Sequence, residues 1–214
     1  MKLTRLIHAA LLVETDGARV LIDPGNFSSL WHDLTDLDAV MVTHQHLDHI
    51  DVDNIGPLLD ANQQARLIVE PAVVELLGER ATEVADVGES FQIGDLDVEV
   101  VGGQHALIHE RVPRVGNVGL VLREAKGPRV FHPGDSYATT PDDIAVLALP
   151  LTAPWAKAST TIDFANAVKP ERVIPIHDAI VSEVGRPVYM RMCRQVIDES
   201  IAIEDPAIGE PYIV

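Results

Sequence analysis

The chain has 214 residues, long enough for one substantial domain and short for two ordinary ones. With 47% hydrophobic and 23% charged residues it has the composition of a water-soluble globular protein, and no apolar run approaches the roughly 18 residues of a membrane span. A net charge of −17 without any cluster of Lys or Arg argues against nucleic acid or an anionic membrane as a partner.

The start, "MKLTRLIHAALLVETDG", imitates a secretory leader, but its apolar run is short, is broken by His8 and lacks a small-residue cleavage site. A strand pair is expected there, in a cytoplasmic protein. "HAALLVET" (8–15) and "RVLIDP" (19–24) flank Asp16-Gly17, a good hairpin turn. "LDAVMVTH" (37–44) reads as a buried strand. A short helical segment follows in 50–62, which Pro57 must start or kink. After the strand "RLIVEP" (66–71), Pro71 opens a helix over 71–80, where no N–H is needed. "ESFQIGDLDVEVVGG" (89–103) alternates around Gly94-Asp95 as a second hairpin.

The second half continues in the same style. "NVGLVLRE" (117–124) and "PRVFHPGD" (128–135) form a hairpin, and "DIAVLALP" (143–150) is a strand buried on both faces. A helix over 159–170 takes Ser159 or Thr160 as N-cap and stops at Lys169-Pro170. "RVIPIHD" (172–178) is a strand and 187–200 a closing helix. That helix holds the single cysteine, Cys193, which reads as a buried inert thiol; no internal disulfide can form, which fits a reducing compartment. Each half thus sets several strands before its helices. Two packed sheets with helices outside satisfy this order, an α/β (α+β) architecture in one domain over 1–214.

The chemistry is concentrated in "VTHQHLDHI", which holds His44, His46, Asp48 and His49 at the end of a buried strand. His44 and His46, two apart, face the same way in an extended chain. Asp48 and His49 follow where the chain turns. Imidazoles and a carboxylate in this density suit a borderline metal such as zinc. A metal needs further segments, and other strand ends supply them: His105 in "VVGGQHA", Asp135 in "RVFHPGDS" and His177 in "RVIPIHDA".

This order of motifs resembles the metallo-β-lactamase fold superfamily of metal-dependent hydrolases. Within it, "IHAALLVETDGARVLIDPG", "HPGDS" and "VIPIHDA" look like the branch of L-ascorbate-6-phosphate lactonase-like proteins. The resemblance covers essentially the whole chain and implies a four-layer αββα sandwich with two adjacent divalent metals, zinc first, manganese or iron compatible. His44, His46 and His105 would hold one metal; Asp48, His49 and His177 the other; Asp135 would bridge. Asp48, His49 and Asp135 would serve catalysis directly. The diiron flavoprotein oxidases of the superfamily carry Glu where this chain has His46, which argues against dioxygen reduction. Two such ions with two carboxylates and a bridging hydroxide leave a centre of about +1. They lower the pKa of bound water from about 15.7 toward ~7, so a metal-bound hydroxide is available at neutral pH.

Other residues stand close in sequence to these. Asp23, in "LIDPG", is expected to orient a ligand histidine or to be a plain Asp-Pro turn residue. His8 either faces the pocket or sits satisfied in a strand interior. His132 supports the site or simply packs. Trp31 and His32 fall in a loop as pocket lining or surface decoration. His109, Arg111 and Arg114 follow His105 in a loop able to close on an anionic substrate. Trp155 and Lys157, after a buried strand end, offer another wall.

The first expectation is a hydrolase acting on a small, anionic lactone, ester or phosphoester. A mononuclear iron dioxygenase of the same fold is the alternative, with a nuclease or phosphodiesterase weaker because of the charge. A non-catalytic protein of this fold is a third reading, disfavoured by the complete ligand set. A homodimer is compatible with the sequence.

Overall fold

The computed structural model describes residues 1–81 and 83–214. Its first half forms β1 (Lys2–Arg5), β2 (Leu11–Glu14), β3 (Arg19–Ile22), β4 (Ala39–Val42), α1 (Ile55–Ala61), β5 (Arg66–Val69), α2 (Pro71–Leu77), a 3-10 turn (Gly78–Arg80) and β6 (Glu83–Val84). The second half forms β7 (Ser90–Ile93), β8 (Leu96–Gly102), β9 (Val118–Glu124), β10 (Arg129–His132), β11 (Val146–Pro150), α3 (Ala158–Val168), β12 (Arg172–Ile176), α4 (Arg186–Val196), β13 (Ala202–Ile203) and β14 (Pro211–Ile213).

These strands build two seven-stranded sheets, ordered β14-β1-β2-β3-β4-β5-β6 and β13-β12-β11-β10-β9-β8-β7. Both are mixed. In the first, β14 to β3 run antiparallel and β3 to β6 parallel. In the second, β7 to β10 run antiparallel and β10 to β13 parallel. The C-terminal β14 returns to the first sheet and pairs with β1, Leu3 opposite Tyr212.

Period-two alternation sorts each strand between two cores. Leu11, Val13, Val20, Ile22 and Met41 meet Val98, Val100, Leu120, Leu122 and Ala148 between the sheets. Leu12, Leu21, Val40 and Leu67 face outward onto Ile55 and Leu58 of α1 and Val73 of α2. On the opposite side Phe131, Leu147, Leu149 and Val173 pack on Phe164 and Ala165 of α3 and Met190 and Cys193 of α4. The layers run αββα, as the motif order implies. No helix among the described residues is long and apolar enough to cross a membrane.

Some local expectations need correction. α3 begins before Ser159: its N-cap is Lys157, whose N–H donates to Thr160 Oγ1 at 3.1 Å, so Thr160 serves from inside the first turn. α4 ends at Val196, because Ile197 turns extended and Asp198 ties Ser200 into a turn. Pro71 does open α2, with the Glu70 carboxylate accepting from Ala72 N–H at 2.9 Å. Cys193 is a free, buried thiol whose pKa burial pushes up.

Candidate metal centre

The segments that follow β1, β3, β4, β8, β10, β11 and β12 bring the polar side chains of the site together. Backbone bonds lock these loops to one another, within the second sheet and across the two sheets. His177 N–H donates to the His8 carbonyl at 2.9 Å, Val118 N–H to Thr43 at 2.9 Å and Ala106 N–H to Asp135 at 2.8 Å. His8, Asp23 and His177 all hold left-handed backbone, with φ of 56°, 50° and 56°. Each such residue costs about 1 kcal/mol or more and persists where its surroundings fix it. Glycine permits the closest approach: a Cβ at Gly25 would lie 1.8 Å from the Asp48 carbonyl oxygen.

Two groups of donor atoms result, each with all its atoms within 4.8 Å of one another: His44, His46, His105 and Asp135, and His8, Asp48, His49 and His177. Asp135 stands between them. Its Oδ1 lies 3.2 Å from His49 Nε2, and its Oδ2 lies 3.4 Å from His105 Nε2 and 3.1 Å from His177 Nε2. His44 Nε2 and His46 Nδ1 are 3.1 Å apart.

Ring orientation is set from behind. His177 Nδ1 donates to the Thr152 carbonyl and His105 Nδ1 to the Ala106 carbonyl, both at 2.6 Å. His49 Nδ1 donates to Asp23 Oδ2 at 2.7 Å. Asp23, fully buried, also accepts Thr43 N–H at 2.8 Å and Thr43 O–H at 2.7 Å, and Thr43 Oγ1 in turn meets His44 Nδ1 at 3.1 Å. Nδ1 therefore carries the proton in these rings, and Nε2 of the neutral imidazole turns a lone pair inward. Within the two groups, Nε2 of His49, His105 and His177 and Oδ1 of Asp135 are buried without a hydrogen-bond partner. Lone pairs facing carboxylate oxygens in a dry site are unfavourable unless a proton or a cation lies between them.

Without a cation, a proton takes that place on His49 and His177. Burial lowers His49, but Asp135 and Asp23 outweigh it and the net pKa rises well above the usual imidazole value. His177 also rises, burial being overcome by Asp135. Burial, then His49, drives His44 well below the ordinary value; burial, then His105, lowers His46. Burial tends to raise Asp48, yet the His8 hydrogen bond and the His49 and His177 rings prevail and its pKa falls to about 2. Asp135 is likewise held well below the usual carboxylate range, His49 and His177 overcoming burial.

A beta-lactamase superfamily domain model matches residues 2–177. The chain belongs to that superfamily. It is 40% identical over 190 residues to protein Rv0786c of Mycobacterium tuberculosis, covering 88% of this chain and 89% of that one. The UPF0173 metal-dependent hydrolase of Carboxydothermus hydrogenoformans is 26% identical over 208 residues, 86% and 89% of the two chains. A Parabacteroides distasonis crystal structure superposes with a TM-score of 0.80 at 20% identity, covering 96% of this chain and 92% of that one, a likeness of fold.

In this superfamily member the remaining sequence candidates divide. His8 lies inside the second group: its Nδ1 accepts Ala179 N–H at 3.4 Å, which leaves Nε2–H to donate to Asp48 Oδ2 at 3.1 Å. His132 is fully buried behind the centre, donating from Nε2 to the Ala9 carbonyl at 3.0 Å and accepting Gly134 N–H at 3.2 Å. Trp155 Nε1 donates to Asp135 Oδ2 at 2.9 Å. Lys157, paired with it in the sequence reading, is exposed and caps α3 instead. Trp31 is neither mouth nor surface: it is fully buried and donates from Nε1 to the Gly25 carbonyl at 3.1 Å, with His32 edge-on to its ring. His109 and Arg111 are exposed, His109 Nδ1 accepting Arg111 N–H at 3.1 Å; Arg114 donates from Nε to the His105 carbonyl at 2.5 Å.

The sequence reading passed over Thr43, Thr152 and Asn117. Asn117 is buried, accepts Asp135 N–H at 2.8 Å and donates to the Pro133 carbonyl at 2.9 Å, so it shapes the turn that carries Asp135. Its signal in the sequence is a lone amide just before the apolar run Val118–Leu122.

Proposed function

We propose that this chain is a metal-dependent hydrolase that binds two divalent cations, zinc first among them, and cleaves a small lactone, ester or phosphoester. The observation that carries this reading is the set of buried, unpartnered Nε2 atoms of His49, His105 and His177 turned toward Asp135. Imidazole nitrogens and carboxylate oxygens are the donors a borderline divalent cation takes. His44, His46 and His105 would hold one cation and Asp48, His49 and His177 the other, with Asp135 between. The bound cations would supply an activated water and polarise the carbonyl or phosphoryl oxygen of the substrate.

The chain's own groups prepare that chemistry. Asp23, Thr152 and the Ala106 carbonyl hold three rings in one tautomer, so the donors need no rearrangement. Asp48 and Asp135 stay ionised at neutral pH. Asp48 keeps 22% of its side-chain surface exposed and so marks the open side of a largely buried centre.

Elemental analysis of the purified chain beside Asp135→Ala tests this. About two zinc or manganese per chain, sharply reduced in the variant, is expected. One iron, indifferent to the variant, removes the bridging role and directs attention to oxygen-consumption assays.

A further inference from the structure

We propose that the substrate of this centre carries an apolar body beside its hydrolysable group, received by a rim of Phe27, Leu47, Leu107, Trp155 and Ile180. This rests on the hydrolase reading above. Phe27, Leu47, Leu107 and Ile180 are 45%, 52%, 54% and 48% exposed. Single exposed apolar side chains are ordinary on a protein surface, but four from four separate segments around one polar centre, with the half-buried Trp155 beside them, are not.

Each is tied to the centre by a contact of its own segment. The Phe27 ring packs on His8 at 4.9 Å between centroids. Leu47 stands between His46 and Asp48, and its carbonyl accepts Asn26 N–H at 2.8 Å, which draws the Phe27 loop beside it. Ala179 donates to His8 Nδ1, and Ile180 follows directly. Ala106 donates to the Asp135 carbonyl, and Leu107 follows directly. The Trp155 ring lies 6.0 Å from His105 and 6.5 Å from His177, its N–H fixed on Asp135. Each of the five thus stands in a segment that carries or contacts a donor residue, on both the Asp48 and the Asp135 sides. A second copy of the chain is the other conceivable cover. The net charge of −17 opposes such a pairing, whereas a small molecule with an apolar body meets no such repulsion.

The test is binding of straight-chain alkanols and alkanoates, from butyl to decyl, to the zinc-loaded protein, read by Trp155 emission with buried Trp31 as internal constant. Affinity is expected to climb about two- to fourfold per methylene in both series. The climb should flatten in a Phe27→Ser/Leu47→Ser double variant and weaken in Ile180→Ser. A flat wild-type series overturns the proposal, as does a climb that survives all these changes. A wild-type dimer that the double variant dissociates also overturns it, since the rim is then a subunit contact. The hydrolase reading is judged separately by the preference for a carboxylate over an alcohol head: it fails if EDTA leaves that preference unchanged, whatever the methylene slope.

Discussion

His8 donates its Nε2 proton to Asp48 Oδ2 at 3.1 Å, the reverse of the neighbouring histidines, which donate from Nδ1 and turn Nε2 inward. The Ala179 N–H on His8 Nδ1 fixes this tautomer. His8 is therefore a positioning residue for Asp48. His8→Phe should weaken one of two zinc-binding steps by about 10- to 100-fold. His8→Gln, which keeps an N–H at similar reach, should restore most of it. Competition with a chromophoric chelator reads both steps; equal loss in the two variants would make His8 a ligand itself.

Asp23→Ala removes the acceptor of Thr43 N–H, Thr43 O–H and His49 Nδ1–H together. Buried donors left unpaired should destabilise the metal-free fold by about 2–4 kcal/mol. Urea denaturation in EDTA measures this. A change under about 0.5 kcal/mol, of the size of an ordinary surface substitution, would show that the three bonds do not hold the turn.

Removing metal should lower the melting temperature. Saturation at about 100 times Kd stabilises by about 2.7 kcal/mol, which corresponds to roughly 5–10 °C in a chain of this size. Calorimetry with and without EDTA decides it. An unchanged melting temperature would separate metal binding from folding.

A pH test falls on a cluster away from the donor atoms. Asp205 accepts from Arg186 Nη1 and Nη2 at 2.9 and 2.7 Å and from Arg5 Nη1 at 3.1 Å, and the Arg186 guanidinium above all lowers its pKa. A carboxylate depressed in the folded state stabilises fully above its unfolded value near 3.9, and the contribution drains as pH falls through the folded value. Asp205→Asn should cost about 1–2 kcal/mol at neutral pH, with the gap to wild type narrowing below about pH 4. A gap that widens on acidification contradicts the assignment.

The gathering of these side chains at one place was legible because strand-end histidines in a six-residue run, followed by His105, Asp135 and His177 at further strand ends, form a pattern that depends on chain order alone. What failed depends on three-dimensional closure. Trp31 does sit in a loop, but it looked like mouth or surface because no periodicity marks 24–36, whereas its indole closes over Gly25 and completes the outer core. Lys157 and Trp155 are two apart in sequence, and nothing local says that one reaches Asp135 while the other caps a helix. The short edge strands β6, β13 and β14 were missed since pairing, not composition, makes them strands; β14 meets β1 across almost the full chain.

The donor atoms are drawn from His8 to His177 and from both sheets. During synthesis, the segment holding His44, His46, Asp48 and His49 leaves the ribosome long before Asp135 and His177. Early cation capture can only be partial and reversible there. Firm retention would wait until the second sheet has docked on the first, so a tightly held cation would report that β12 has brought His177 into place.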